Sequence, residues 1–321
     1  MIEPVAKPLK DHLPGEIFTG FALLQAISVR TKRDGGSYLA VEFGDRSGRL
    51  QGNIWEDAER LFRQFQAGQV VKVKALVEEF EGRRKLNVRQ IRPAKPEDGV
   101  DPATFLPVIE GDPEELLAQL KGLIVRIQNP CLRKLLESFF DDQKFVAAFL
   151  RAPAGKLWHH NRLGGLLEHT LSLTRLARRL ARHYPDVDRD LLMAGALLHD
   201  IGKIEELRYD TLFDYTSRGR LVGHINLGAA WTAERAAKIE NFPPELLDQI
   251  LHLILSHQGA HGSPVQPMTR EAFLLHFADE IDSKMDALKR ISLEVEGGRW
   301  RFVKLLDRWI DTGEENDDAG G

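Results

Sequence analysis

The sequence predicts two domains, a small all-β barrel followed by an all-α domain. Short β-rich runs separated by glycines occupy residues 17–91, and apolar residues at helical spacing occupy most of the chain after a proline-rich stretch. With 321 residues, 43% of them hydrophobic, the chain is long enough to bury more than one core. We therefore expect a multidomain protein with one domain of each class.

The β-rich half has the element order of an oligonucleotide-binding fold (OB-fold). Its five runs are IFTGFALLQAISVRT, YLAVEFGD, RLQGNIW, VVKVKALVEEF and KLNVRQI. The segment EDAERLFRQF, between the third and fourth runs, carries apolar residues at helical spacing. Three strands, one helix and two further strands predict a small closed barrel.

Proline and charge mark the domain boundaries. Four prolines between Pro93 and Pro107 exclude a long helix there and indicate a linker. We expect an OB-fold domain at 1–94, a linker at 95–112, an all-α domain at 113–311 and a disordered acidic tail at 312–321. Helices are predicted near 113–127, 130–150, 163–183, 189–201, 226–239, 244–257 and 270–291.

Composition narrows the functional classes. The net charge is −4, yet residues 1–100 hold 17 Lys and Arg against 14 Asp and Glu, which favours an anionic partner for the first domain. The one cysteine, Cys131, excludes an internal disulfide and a cysteine-rich metal site. No apolar run is long enough to span a membrane. We expect a soluble, cytoplasmic protein.

The helical half contains residue types that bind metal ions on otherwise apolar segments. The candidates are His169, His199, Asp200, His224, His257 and Asp279. A single histidine on a helix is more often a surface or core residue, but together these six residues indicate a metal site.

The pair His199-Asp200 is the most informative step, because it directly follows the apolar run LLMAGALL. An imidazole and a carboxylate at a buried helix end are unfavourable unless a cation compensates them. Gly202 is expected to end this helix with a positive φ, and Lys203 to approach a phosphate oxygen. The alternative for Lys203 is a cation favoured by the helix dipole.

These residues resemble a known family. The order His169, His199-Asp200, Asp279 resembles the signature of the HD superfamily, and His224 and His257 resemble the additional ligands of its two-metal members. The stretches HHNRLGGLLEHTLSL, HDIGKIEEL, GHINLG and LSHQGAHGSPVQPMTREAFLLHFADEIDSKM resemble the YhaM family of 3′-to-5′ exoribonucleases, which also carries an OB-fold ahead of its HD domain. Gln258 stands where many relatives have a second histidine.

The resemblance implies a metal-dependent phosphodiesterase that trims single-stranded RNA. His169, His199, Asp200 and Asp279 would hold one divalent ion, and Asp200 would bridge to a second ion held by His224 and His257. We expect manganese, with cobalt, iron or magnesium as alternatives. Asp200 and Lys203 would serve catalysis, since two cations activate water and Lys203 adds positive charge. The resemblance also suggests a homo-oligomer.

The predicted substrate contacts lie in both domains. His159 and His160 precede His169 by about three helical turns, so we expect substrate contacts and not metal ligands. His261 is a further candidate at the rim of the site. In the barrel we expect Tyr38 and Trp55 to stack on bases and Arg30 and Lys72 to contact phosphates. Alternation places Tyr38 and Phe43 on opposite faces of their strand.

Two other functions remain open from the residues. One is an HD-type nucleotide or cyclic-dinucleotide phosphohydrolase, since such sites support several phosphoester cleavages. The other is a non-catalytic protein that binds nucleic acid, which the intact set of metal-ligand residues argues against. DNA is a plausible substrate besides RNA, because no motif requires a 2′-hydroxyl.

Overall fold

A computed structural model describes residues 7–80, 82–293, 299–303 and 306–312, without the side chains of residues 261 and 293. Contacts between residues divide the chain into two units. The first contains the residues up to Pro107, Asp210–Leu212 and those from Lys289 on, and the second contains Val108–Tyr209 and Phe213–Leu288. The predicted domain boundaries stay a prediction. The predicted disordered tail lies outside the described residues except for Thr312.

The first unit contains the predicted closed barrel. Its five strands are hydrogen-bonded in the order β1-β2-β3-β5-β4, and β3 and β5 run parallel. This order confirms the OB-fold prediction. The elements are β1 (Ile17–Thr31), β2 (Ser37–Asp45), β3 (Gly48–Ile54), α1 (Ala58–Gln64), β4 (Val70–Phe80) and β5 (Arg83–Pro93).

Alternation of side chains builds the barrel core. In β2, Leu39, Val41 and Phe43 are buried while the residues between them are partly exposed. The long strand β1 pairs with β4 from Ile17 to Leu23 and with β2 from Leu23 to Thr31, and a register shift between Leu24 and Ala26 lies at the start of the pairing with β2. One strand therefore bonds to two neighbours, which closes the barrel.

The second unit is mainly helical, as predicted. Within the described residues, no helix is long and apolar enough to cross a membrane. The elements of this part of the chain are α2 (Pro113–Ile124), α3 (Pro130–Phe140), α4 (Gln143–Phe149), α5 (Gly165–His183), α6 (Arg189–Leu198), α7 (Lys203–Glu206), β6 (Leu207–Arg208), β7 (Asp214–Tyr215), α8 (Ser217–Val222), α9 (His224–Ala236), α10 (Pro244–Ser256), α11 (Gly259–Gly262) and α12 (Arg270–Leu293).

Helix α6 lies at the centre of this unit. Every residue from Asp190 to Leu198 is buried, and α6 contacts α3, α5 and α10. Asp188 caps its first turn by accepting hydrogen bonds from the backbone N–H groups of Asp190 and Leu191 at 2.9 and 3.0 Å. The end of α6 is therefore a rigid, fully buried position for the residues that follow it.

Two features of the chain differ from those predicted from its sequence. The single helix expected at 130–150 is two helices, because Asp142 caps α4 through the N–H groups of Lys144 and Phe145. Two short ribbons also follow the barrel, β6 with β7 and, in the first unit, β8 (Trp300–Val303) with β9 (Arg308–Asp311). Strands of two to four residues leave too little periodicity to detect.

Candidate metal centre

The side chain of Asp200 lies at the middle of the predicted ligands. Its Oδ2 atom is 3.2 Å from His199 Nε2 and 3.6 Å from His169 Nε2. Its Oδ1 atom is 3.3 Å from His224 Nε2 and 3.5 Å from His257 Nε2. The two oxygens of one buried carboxylate therefore face two separate pairs of imidazoles.

Asp279 completes one side of this arrangement from helix α12. Its Oδ1 atom is 3.2 Å from His169 Nε2 and 4.0 Å from His199 Nε2. Candidate ligand atoms of His169, His199 and Asp279 lie within 4.8 Å of one another, and so do those of His199, Asp200 and His257. The structure thus brings all six predicted ligands together, with His224 reaching the cluster at Asp200 Oδ1.

Hydrogen bonds on Nδ1 fix the orientation of these imidazoles. In His199 and His257 the Nδ1 atom lies 3.0 and 2.8 Å from the carbonyl oxygen three residues earlier. In His224 and His169 it lies 2.8 Å from a carboxylate, Glu206 and Asp282 respectively. An Nδ1–H that donates to these oxygens leaves a lone pair on Nε2, directed at the centre of the cluster, as a metal ligand requires.

The charges of the cluster are strongly coupled. Burial raises the pKa of Asp200, but His199 and Lys203 outweigh it and hold that pKa well below its ordinary value. Burial likewise opposes charge on His169, yet hydrogen bonds with Asp279 and Asp282 raise the pKa of its imidazole to about 10. The carboxylates around His169 therefore favour positive charge in the middle of the cluster.

Unsatisfied polar atoms test whether the residues fit a metal ion. Within the described part of the chain, Asp200 Oδ1 is buried without a hydrogen-bond partner. A buried carboxylate oxygen is costly unless a cation or a donor compensates it. Imidazole nitrogens and carboxylate oxygens form a donor set that suits divalent transition metals. The cluster therefore fits a divalent ion.

Comparison with known proteins agrees with this geometry. Residues 166–284 match the HD domain family, and residues 26–94 match an OB-fold nucleic acid binding domain family. The 3′-5′ exoribonuclease YhaM of Shouchella clausii is 32% identical over 94% of this chain and 95% of its own length. That of Oceanobacillus iheyensis is 34% identical over 89% and 90%, and that of Bacillus subtilis 32% over 92% and 94%. The chain belongs to the YhaM family. The resemblance inferred from the motifs is confirmed.

Lys203 is the first residue of α7 in this YhaM family member and lies inside the cluster. Its ammonium group is buried, and Nζ lies 2.6 Å from Asp200 Oδ2. Although burial opposes charge, Asp200 raises the pKa of Lys203 above its ordinary value. Lys203 is the fifth residue after the end of α6 and begins a new helix, so the dipole of α6 does not explain its position. Lys203 instead supplies a fixed positive charge beside Asp200.

The expected positive φ of Gly202 is wrong. Gly202 has φ −65° and ψ −16°, which any residue adopts. A Cβ atom built on Gly202 would lie 2.1 Å from the carbonyl oxygen of His224 and 2.9 Å from the backbone nitrogen of Gly228. Glycine is required here because the backbone of α9 passes directly against it, and this contact positions His224.

The predicted separation of His159 from the metal ligands is also wrong. The chain before α5 is not helical, so counting helical turns does not apply. The ring of His159 lies 5.2 Å from that of His169, and candidate ligand atoms of His159, His169 and Asp200 lie within 4.8 Å of one another. Burial and the positive charge of Lys203 lower the pKa of His159 well below its ordinary value, so the imidazole is neutral.

His160 lies in a buried network behind the cluster. Its Nδ1 is 2.9 Å from Glu168 and its Nε2 is 3.1 Å from Asp282. Its backbone N–H donates to Asp286 at 2.6 Å, and Asp286 also accepts a hydrogen bond from Arg162 at 2.6 Å. Both ring nitrogens of His160 are engaged, so this placement does not support the predicted substrate contact.

Two residues that support the ligands were not singled out from the sequence. Asp282 contacts His169 and accepts from Ser172 and His160. Glu206 accepts from both the backbone N–H and the ring of His224. Gln258 is not a support of this kind, because its Nε2 lies 3.1 Å from His224 Nε2 and would compete there with a metal ion. For Asp282 a signal was present, since it lies three residues after Asp279 and therefore on the same helix face.

We expect Asp282→Asn to weaken binding of Mn²⁺ by about 10- to 100-fold, because the carboxylate that orients His169 loses its charge. Isothermal titration calorimetry of the metal-free protein measures this affinity. Asp248→Asn is the matched control, because Asp248 lies on α10 with an exposed side chain. Equal affinity of Asp282→Asn and the wild type would contradict the assignment of Asp282 as a support for His169.

Three of the predicted substrate contacts in the barrel lie on one outer face. The rings of Tyr38 and Trp55 stack with centroids 4.9 Å apart, and Arg30 is the β1 partner of Tyr38. Phe43 is completely buried, which confirms that Tyr38 and Phe43 face opposite sides. Lys72 lies on β4, with Nζ 5.2 Å from the ring of Phe21.

Lys72 is therefore displaced along β1 from the other barrel candidates, because its β1 partner is Phe21 and that of Tyr38 is Arg30. The side chain of His261 lies outside the described part of the chain. RNA contacts of these residues stay predictions.

Proposed function

We propose that this protein is a metal-dependent 3′-to-5′ exoribonuclease that trims single-stranded RNA. The observation that carries the proposal is the buried carboxylate of Asp200, which faces one imidazole pair with each of its oxygens. The family supports the substrate class and direction, because relatives matched over about nine-tenths of their length are named 3′-5′ exoribonucleases.

We assign six metal ligands: His169, His199, Asp200, His224, His257 and Asp279. Two ions fit the proposal, because the two oxygens of Asp200 face different sets of ligands. Oδ2 faces the imidazoles of His169 and His199, which Asp279 also approaches, and Oδ1 faces those of His224 and His257. Manganese is the favoured ion, with cobalt, iron or magnesium as alternatives, because the donors are nitrogens and carboxylate oxygens without a thiolate.

Divalent ions at this position would activate water for attack on the phosphodiester and stabilise the charge that develops on its oxygens. The protein contributes fixed geometry and charge. The carboxylate of Asp200 lies between the two pairs of imidazoles. Lys203 keeps its ammonium nitrogen 2.6 Å from Asp200 Oδ2 and so adds a fixed positive charge. In this proposal His159 would hydrogen-bond a phosphate oxygen, which is supported by its lowered pKa and by two ring nitrogens without a partner among the described residues.

The barrel supplies the single-strand specificity in this proposal. A stacked aromatic pair, Tyr38 with Trp55, and the nearby Lys32 and Arg30 are typical of surfaces that bind unpaired bases and phosphates. Single-stranded DNA is proposed as a second substrate, because base stacking and phosphate contacts do not need a 2′-hydroxyl. The cytoplasmic location and a homo-oligomeric state stay predictions.

Hydrolysis of end-labelled RNA tests the function. After treatment with EDTA and addition of Mn²⁺, we expect 5′-labelled single-stranded RNA to give a ladder of shortening products. The same RNA labelled at its 3′ end should release labelled mononucleotide from the start. EDTA without added metal should stop both reactions, because the ligands alone do not activate water.

The outcomes separate the parts of this proposal. Mononucleotide released first from 5′-labelled RNA would reverse the direction. Absence of any RNA cleavage by the Mn²⁺-loaded protein would overturn the exoribonuclease and favour a phosphohydrolase of small nucleotides. A parallel assay with DNA of the same sequence decides whether DNA is a substrate.

A further inference from the structure

A cavity of about 710 Å³ lies in the barrel unit, and none of its lining residues is a candidate metal ligand. Its walls are residues of β2, β3 and β5 on one side and the ribbon β8–β9 on the other. The volume is within the usual range for ligand sites. The matched families end at residues 94 and 284, so neither family match covers the ribbon.

The barrel wall of this cavity is a row of outward-facing side chains. Glu42 of β2 is the partner of Gln51 of β3, and Gln51 is the partner of Lys85 of β5. The intervening Leu50 and Leu86 are buried in the core. Alternation therefore directs this row, formed by three adjacent strands, toward solvent and the ribbon.

The lining has a large excess of positive charge. Among the described residues, seven cationic side chains line the cavity, against the one carboxylate of Glu42, which already pairs with Arg49 at 3.1 Å. Two of them are Arg290 and Arg301, and the five from the barrel unit's N-terminal part are Lys10, Arg49, Arg83, Arg84 and Lys85. In a chain of net charge −4, this concentration favours a polyanion.

The ribbon wall presents three aromatic rings on one face. Trp300 and Phe302 are two residues apart in β8, and Trp309 is the β9 partner of Phe302. Side chains two apart and directly paired lie on the same face of a ribbon. The exposed fractions of Trp300, Phe302 and Trp309 are 58%, 46% and 64%. Large apolar rings left this exposed together indicate a binding surface.

We infer that this cavity binds single-stranded nucleic acid, with bases stacked on Trp300 and Trp309 and phosphates held by the cationic wall. The inference deepens the proposed function, because it adds a binding surface for the same class of substrate. An unpaired strand offers both base faces for stacking and phosphates for ion pairs, which match the two walls of the cavity. In a duplex the base faces are stacked on one another and cannot reach the rings. The C-terminal ribbon is then part of the nucleic-acid surface of the barrel.

Binding of a labelled oligouridylate of about twelve nucleotides tests the inference, a length that spans an OB-fold. Fluorescence anisotropy of the full-length protein is measured in EDTA, so that the RNA is not hydrolysed. We expect Trp300→Ala/Trp309→Ala to raise Kd about tenfold or more, since each stacked base is worth at least about fivefold. Phe62→Ala is the control, because Phe62 is an exposed aromatic residue on α1 outside the cavity lining.

Two further kinds of variant distinguish loss of a binding contact from misfolding of the ribbon β8–β9. Trp300→Phe/Trp309→Phe keeps stacking rings and should retain most of the affinity. Lys85→Gln, on the outward-facing row of the barrel wall, should lower the slope of log Kd against log salt concentration by about 0.7, whereas Arg63→Gln on α1 should leave it unchanged. An oligodeoxythymidylate should lose affinity in parallel with the RNA, because stacking does not need a 2′-hydroxyl.

Wild-type Kd and salt slope in both the alanine and the Lys85 variants would overturn the inference, even if RNA hydrolysis is normal. Hydrolysis of a dinucleotide should be equal in wild type and Trp300→Ala/Trp309→Ala, because a dinucleotide is too short to need the cavity. An RNA-binding wild type that hydrolyses no RNA would overturn the proposed function and leave this inference standing.

Discussion

Asp200→Asn is expected to lower kcat/KM for RNA hydrolysis by at least about a thousandfold. Asparagine offers one carbonyl oxygen and an uncharged amide in place of two anionic oxygens, so it serves only one of the two imidazole pairs. Loss of metal-ion catalysis removes several kcal/mol of transition-state stabilisation, and each 1.36 kcal/mol is a factor of ten in rate. Quantification of the RNA ladder in excess Mn²⁺ measures the loss.

The same substitution also changes stability, and the two effects have to be separated. Asp200 pairs with the buried Lys203 at 2.6 Å, and an unpaired buried ammonium destabilises by about 3–5 kcal/mol. Asp200→Asn/Lys203→Met removes both partners, so it should recover most of the stability. It should not recover hydrolysis, because the carboxylate is still absent.

Asp190→Asn is the matched control for a buried carboxylate. Asp190 lies at the start of the same helix α6 and accepts hydrogen bonds from the backbone of Gln128 and Asn129 at 2.6 and 2.8 Å. Its substitution should lower the melting temperature but leave kcat of the folded protein unchanged. If Asp200→Asn retained hydrolysis within tenfold of wild type, the proposed role of Asp200 would be wrong.

The barrel and the main helices could be predicted because their signals are local. Alternation in β2 and apolar spacing in α5, α6, α10 and α12 appear in short windows of sequence. The short ribbon β8–β9 was not predicted, because four residues are too few to show a periodic pattern. Its aromatic face also depends on the pairing of Phe302 with Trp309, which is not a local feature of the sequence.

The candidate ligands could be found from the sequence because each has a metal-binding side chain on an apolar segment. The position of His159 could not, because His159 reaches His169 through a loop whose path depends on tertiary contacts. For Asp282 the only sequence signal is its spacing of three residues from Asp279. The structure adds the contact with His169 that distinguishes Asp282 from the solvated carboxylates of the same helix.

Gly202 was singled out from the sequence, but the reason why a glycine is needed there was seen only in the structure. A glycine after a helix usually allows a positive φ, and this one instead allows the backbone of α9 to approach. The ligand pair His199-Asp200 precedes it and His224 opposes it. The distance between α6 and α9, and hence between Asp200 and His224, depends on the absence of a side chain at this position.

Gly202→Ala should therefore destabilise the protein by at least about 3 kcal/mol, because a Cβ atom 2.1 Å from the carbonyl oxygen of His224 forces two backbone segments apart. Urea unfolding of the metal-free protein, followed by circular dichroism, measures the change. Gly122→Ala on α2 is the matched control. No heavy atom lies within 4 Å of its Cβ, so it should stabilise by about 0.5–1 kcal/mol.

The displacement should also reach the metal centre, because moving α9 carries His224 away from Asp200 Oδ1. In the fraction of Gly202→Ala that folds, we expect weaker Mn²⁺ binding, whereas Gly122→Ala should bind as the wild type does. Unchanged stability of Gly202→Ala would mean that the backbone contact with α9 is looser than 2.1 Å implies. Lower stability with unchanged metal affinity would instead mean that the position of His224 does not depend on the packing of α9 against Gly202. Glu206, whose carboxylate lies 2.8 Å from His224 Nδ1, would then be the residue that holds His224 in place.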